Sequence, residues 1–151
     1  MVFTINSFLV TLEKTNIILE QMKKYICTIY SNFEKENEYG TRFFCIIPYK
    51  NQILKVLITA SFIVENQLKK NKIKIKLNDE IKEIKINDDR KIYLNKEYST
   101  AIIEINPSKD GINDFLELEE NKKNYERENI YILQCLDKEQ SKCVSYGTKR
   151  H

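Results

Sequence analysis

The chain has 151 residues, with 25 Lys and Arg against 22 Asp and Glu, for a formal net charge of +3. That length suits one domain, or one and a fraction, with room for a real core. The small, interspersed charge gives no reason to expect a nucleic-acid partner, and no run approaches the ~20 apolar residues that span a bilayer.

The start, Met1 to Asn6, lacks a basic region followed by a continuous apolar one, so no export signal is expected and a cytoplasmic location follows. Four cysteines, Cys27, Cys45, Cys135 and Cys143, are widely spaced, and the only histidine is His151. Without a CxxC pair or a second histidine, neither a zinc site nor any other cofactor is expected. Reduced thiols are the simpler expectation; a Cys135–Cys143 disulfide across a hairpin is the alternative.

A helix is expected from Glu13 to Lys24, with Thr11 as N-cap. Ile17, Ile18 and Met22 form its apolar side, extended by Leu12 and Leu19. The period then changes. Tyr25 to Tyr30 reads as a strand, Asn32 to Glu38 as a loop, and Thr41 to Ile47 as a second strand stopped by Pro48. Ile53 to Thr59 follows as a third. Lys72 to Leu77 alternates strictly, as a strand with one wet face does, and Asn78-Asp79 turns it into a partner from Ile81 to Ile86. Lys91 to Leu94 and Ala101 to Ile105 are short strands.

Closely spaced strands without intervening helices favour a closed barrel or sandwich, so the expected fold is mainly β. Four segments result: an N-terminal helical segment (1–24), a barrel of about six strands (25–105), a polar crossing linker (106–129) with an apolar island at Phe115 and Leu116, and a last hairpin (130–151). A lone hairpin lacks the strands for independent stability. It is expected to pack on the barrel or the helix, or to pair with another chain.

Three motifs occur in order: Gly40-Thr41-Arg42-Phe43-Phe44-Cys45, then Val56-Leu57-Ile58-Thr59, then Glu97 to Ile105 with its Ile102-Ile103-Glu104-Ile105 ending. Together they resemble trypsin-like serine peptidase domains of a divergent intracellular type. Tyr131-Ile132-Leu133 and Val144-Ser145-Tyr146-Gly147 resemble the entry to the second barrel of that family, so the resemblance covers roughly residues 12–147. It implies a two-barrel fold. The first barrel supplies a histidine base and its orienting acid, the second the nucleophilic serine and oxyanion hole.

The departures bear on function. Phe62 stands where the family has histidine, Ser99 where it has the acid, and Arg42 where it has the second glycine of a Gly-x-Gly strand. The chain also ends at His151, before any Gly-Asp-Ser-Gly segment. Loss of one triad member alone lowers turnover on the order of 10⁴-fold. The resemblance therefore implies a non-catalytic, C-terminally truncated peptidase homologue, with vestigial triad positions Phe62 and Ser99, acting through a protein or peptide partner. The alternatives are a hydrolase whose catalytic residues lie elsewhere, and a truncated product without selected activity.

Other candidates have simpler explanations. Ser61 has no base near it in the pattern and reads as a capping or solvent-facing serine, and Cys143 has no positioned base. Lys69, Lys70, Lys72, Lys74 and Lys76 read as a solvated strand face, and Glu117, Glu119 and Glu120 as linker surface. Phe43, Phe44, Phe62, Tyr93 and Tyr98 are expected in the core or along a cleft wall. Phe62 either fills the cleft or offers it an apolar contact.

Overall fold

The computed structural model describes residues 11–29, 42–118, 129–136 and 141–148. Helix α1 spans Leu12–Tyr25, and the Thr11 hydroxyl accepts from the Lys14 N–H at 3.2 Å, capping its first turn. Its buried stripe is narrower than the sequence suggests. Ile18 and Met22, four residues apart, meet the sheet, whereas Leu12, Ile17 and Leu19 are exposed. Helical geometry places those three around the flanks of that stripe.

After α1 come β1 (Ile26–Ile29), β2 (Arg42–Tyr49), β3 (Gln52–Ala60), helix α2 (Ser61–Leu68), β4 (Lys72–Leu77), β5 (Glu80–Lys85), β6 (Ile92–Asn95) and β7 (Thr100–Glu104). These seven strands form one antiparallel sheet in the order β5-β4-β1-β2-β3-β7-β6. It curls into a half-barrel, so the protein is mainly β. Its two edge strands, β5 and β6, are consecutive in the chain and joined by residues 86–91.

Two tight hairpins set the register. Tyr49 pairs with Gln52 across Lys50 (φ 43°) and Asn51 (φ 62°), and Leu77 pairs with Glu80 across Asn78 (φ 48°) and Asp79 (φ 65°). Positive φ at both central residues is the turn geometry that matches strand twist. β2 runs through Pro48, which pairs with Ile53, rather than stopping there. At this end β2 has no described neighbour on its other side, so the missing N–H of proline breaks no ladder there.

The concave side holds the main core: Phe44, Leu57, Ile73, Ile75, Ile84 and Ile103 are all fully buried. Helix α2, where the sequence reading gives no element between Thr59 and Lys72, adds Ile63 and Val64 to this core. On the other side, Lys72 pairs with Glu83 and Lys76 with Asp79, each at 3.1 Å, while Lys74 lies across from Glu83. The lysine stripe is a wet strand face with counter-charges beside it.

Residues 106–118 do more than cross between units. They form helix α3 (Pro107–Asp110) and β8 (Leu116–Glu117), which runs parallel to β2. Ile112 is fully buried, and the Phe115 ring meets Phe44 edge-on with centroids 6.1 Å apart. The remainder of the expected linker, 119–128, lies outside the described residues, as do Gly40, Thr41 and His151.

β9 (Asn129–Leu136) and β10 (Ser141–Thr148) form a separate hairpin. The Tyr131 hydroxyl donates to the Gln21 side-chain oxygen of α1. Cys143 pairs with Gln134, and Cys135 with Lys142, so the two cysteines are not opposite each other. Cys143 is a thiol, not half of a disulfide.

Candidate functional site

Phe62 and Ser99 lie at one junction of the fold. β3 ends at Ala60 and α2 begins at Ser61, whose N–H donates to the Ser99 carbonyl at 3.0 Å. Ala60 has no side-chain oxygen with which to cap α2, so a backbone carbonyl from the facing turn takes the first donor instead. The register brings the strands to this point together, with Ala60 opposite Thr100 and Thr59 opposite Ala101.

The turn before β7 is held from within. The Tyr98 N–H donates to the Asn95 side chain at 3.0 Å, the Thr100 hydroxyl to the Tyr98 carbonyl at 2.9 Å, and the Ser99 N–H to the Lys96 carbonyl at 3.3 Å. Ser99 has φ 50°, in the left-handed region, and is exposed. Lys96 and Glu65 add an exposed ion pair at 3.7 Å between this turn and α2, a contact of small energetic weight.

Phe62 is 44 % exposed and Tyr98 is 72 % exposed. Phe62 therefore does not plug the core beneath the junction; Ile63 and Val64 do that. Ser61 is buried beside the Ser99 carbonyl, and no histidine occurs in the described segments. The side chains here can offer apolar contact and hydroxyl hydrogen bonds, but nothing at positions 61, 62 or 99 takes a proton readily near neutral pH. The Thr59 hydroxyl, buried on β3, has no hydrogen-bond partner among the described residues and faces the core side with Leu57.

Cys27 and Cys45 are both closed off from solvent. Cys45 is fully buried, and burial pushes its pKa from the ordinary 9.0 to about 11. Among the described residues no three His, Cys, Asp or Glu side chains gather as a metal site would require, and no helix is long and apolar enough to cross a membrane. Arg42 is 1 % exposed and pairs through its backbone with Cys27. A large side chain thus occupies the interior at this position.

One polar constellation escapes sequence reading. Arg90, in the β5–β6 connection, forms a two-bond ion pair with Asp110 of α3 and also donates to the Lys85 and Glu104 carbonyls. A half-open groove of about 730 Å³ runs beside it, lined in part by Lys85, Asp89, Glu104 and Lys109. α3 itself could have been found, because Asn106 caps it, Pro107 opens it and Gly111 closes it at φ 66°. Nothing in the sequence marks Arg90 as its partner.

Comparison with family models, with curated proteins and with solved structures finds no match to this chain.

Proposed function

We propose that this protein is a non-catalytic relative of trypsin-like serine peptidases that works by binding a peptide or protein segment. The observation that carries the proposal is the hydrogen bond from the Ser61 N–H to the Ser99 carbonyl. It joins the two loops on which the motif resemblance puts the family's base and acid, where this chain has Phe62 and Ser99. The curled antiparallel sheet, with consecutive edge strands, is compatible with one small barrel of that type.

An aromatic ring and a serine in those positions cannot pass a proton between nucleophile and leaving group. Exposed Phe62 and Tyr98 flank the junction and suit apolar side chains of a bound segment. The test combines a fluorophosphonate probe with a cleavage assay on a peptide library. Neither labelling nor cleavage is expected, whereas peptide capture that weakens in Phe62→Ala is. Serine-specific labelling that is lost on replacing Ser61 or Ser99 would overturn the proposal in favour of a hydrolase.

A further inference from the structure

The register places Phe43, Ile58, Ile102 and Tyr93 directly opposite one another across β2, β3, β7 and β6. Residues opposed in this way project to one face of a sheet. It is the convex face, since the alternate residues Phe44, Leu57 and Ile103 enter the main core. Further along the same face, Cys45, Leu54 and Val56 are buried together with Leu116 against them. The cover ends there. Phe43, Ile58 and Ile102 are half-buried, and Tyr93 is 38 % exposed.

The rim of this row is basic. The Tyr49 ring lies 5.6 Å from that of Tyr93, with the Lys50 ammonium 5.2 Å from the Tyr49 centroid. Lys91, two residues before Tyr93, projects to the same side and is exposed. The Tyr49 hydroxyl is held below the ordinary tyrosine range, first by its hydrogen bond with Tyr93, then by Lys50 and the charge of Lys91. Glu104 also belongs to this face, but its carboxylate already accepts from the Lys91 N–H at 3.3 Å. Among the described residues the strip thus offers two lysine ammoniums against one carboxylate, that of Glu104.

We propose that this convex strip, Phe43–Ile58–Ile102–Tyr93 with Lys50 and Lys91 at its rim, docks an apolar segment of a partner protein that carries carboxylates. Apolar side chains would cover the row while carboxylates meet the two lysines, a complementarity that sets specificity and encounter rate. A second copy of this chain fits less well. It would add two more lysines and bring only the Glu104 carboxylate to meet them. The inference is drawn from register and charge alone, so it stands whether or not the peptidase resemblance does.

The test uses the full chain, a dye-labelled peptide alternating Glu with Leu and Phe, and a counterpart with Lys in place of Glu. Anisotropy reads affinity and methyl NMR reads the Ile58 and Ile102 side chains. The acidic peptide is expected to bind, to shift both methyl groups, and to weaken about tenfold or more in a Lys50→Glu, Lys91→Glu variant. The Lys peptide is expected to bind poorly. If the charge-reversed protein fails to fold, Tyr93→Ser replaces it and is expected to weaken binding likewise. Equal affinity for both peptides, no binding at all, or shifts confined to other residues overturns the proposal. So do concentration-dependent shifts of Ile58 and Ile102 without peptide, which would assign the strip to a second copy. Binding lost in Phe62→Ala but unchanged by charge reversal overturns this inference alone and leaves the junction proposal standing. The converse pattern separates them the other way.

Discussion

Arg90 and Asp110 meet through two parallel hydrogen bonds, Nη1 to Oδ2 and Nη2 to Oδ1, each 2.8 Å long, with side chains only 8 % and 3 % exposed. Planar guanidinium and carboxylate match in this geometry, and two further N–H donors find the Lys85 and Glu104 carbonyls at 2.7 Å. Asp110 accepts in addition from the Asn106 N–H at 2.7 Å. The pair ties the connection between the two edge strands to the helix after β7.

Breaking this pair from one side leaves a buried charge without its partner. Arg90→Ala and Asp110→Ala are each expected to destabilise the fold by about 3–5 kcal/mol. Joint replacement by apolar residues of similar volume is expected to cost clearly less than the sum. Urea unfolding of both single variants and the double variant measures the coupling. Additive losses would show that the two side chains do not act as a pair.

Phe62 and its neighbour Ile63 separate surface from core within one turn of helix. Phe62→Ala is expected to change stability by less than about 1 kcal/mol, whereas Ile63→Ala, at a fully buried site, is expected to lose about 2–5 kcal/mol. Thermal melts of the two variants decide whether Phe62 is a docking residue or a plug. Comparable losses would make it a plug.

Cys45 gives stability a pH dependence at the alkaline end. Its folded pKa is raised to about 11 from 9.0, so between these values the unfolded chain releases the thiol proton while the folded chain keeps it. Stability from this group is complete below about pH 9 and falls as pH rises toward 11. Lysines and tyrosines titrate in the same range, so the measurement is the difference between wild type and Cys45→Ala in urea midpoints from pH 8 upward. That difference is expected to shrink with rising pH; a constant difference would contradict the burial effect.

The two hairpin turns hold non-glycine residues at positive φ. Asn51→Gly and Asp79→Gly relieve that preference without removing a buried contact, and each is expected to stabilise by a few tenths to about 1 kcal/mol. Asp79→Gly also forfeits the exposed ion pair with Lys76, which keeps its gain at the lower end. Denaturant midpoints provide the check.

Much of the fold was legible because its signals are local. Thr11 and the Ile18–Met22 spacing mark α1, the alternation of Lys72 to Leu77 marks β4, and Asn78-Asp79 marks the turn that follows. α2 was missed because Ser61–Leu68 begins with an apolar run and has no side-chain cap. Residues 106–118 read as linker because their one deeply buried apolar residue, Ile112, stands among polar neighbours.

By itself, the sequence determined most of the strands, most of their turns, and the fact that Phe62 and Ser99 carry neither a base nor an acid. Periodicity and side-chain chemistry are properties of neighbours along the chain, so they survive without a structure. Tertiary structure alone decided that Ser61 and Ser99 share a hydrogen bond, that Arg90 finds Asp110, and that Phe43, Ile58, Ile102 and Tyr93 fall into one partly covered row. Each of these depends on which strand lies beside which, and pairing between distant segments is set by the packing of the whole sheet.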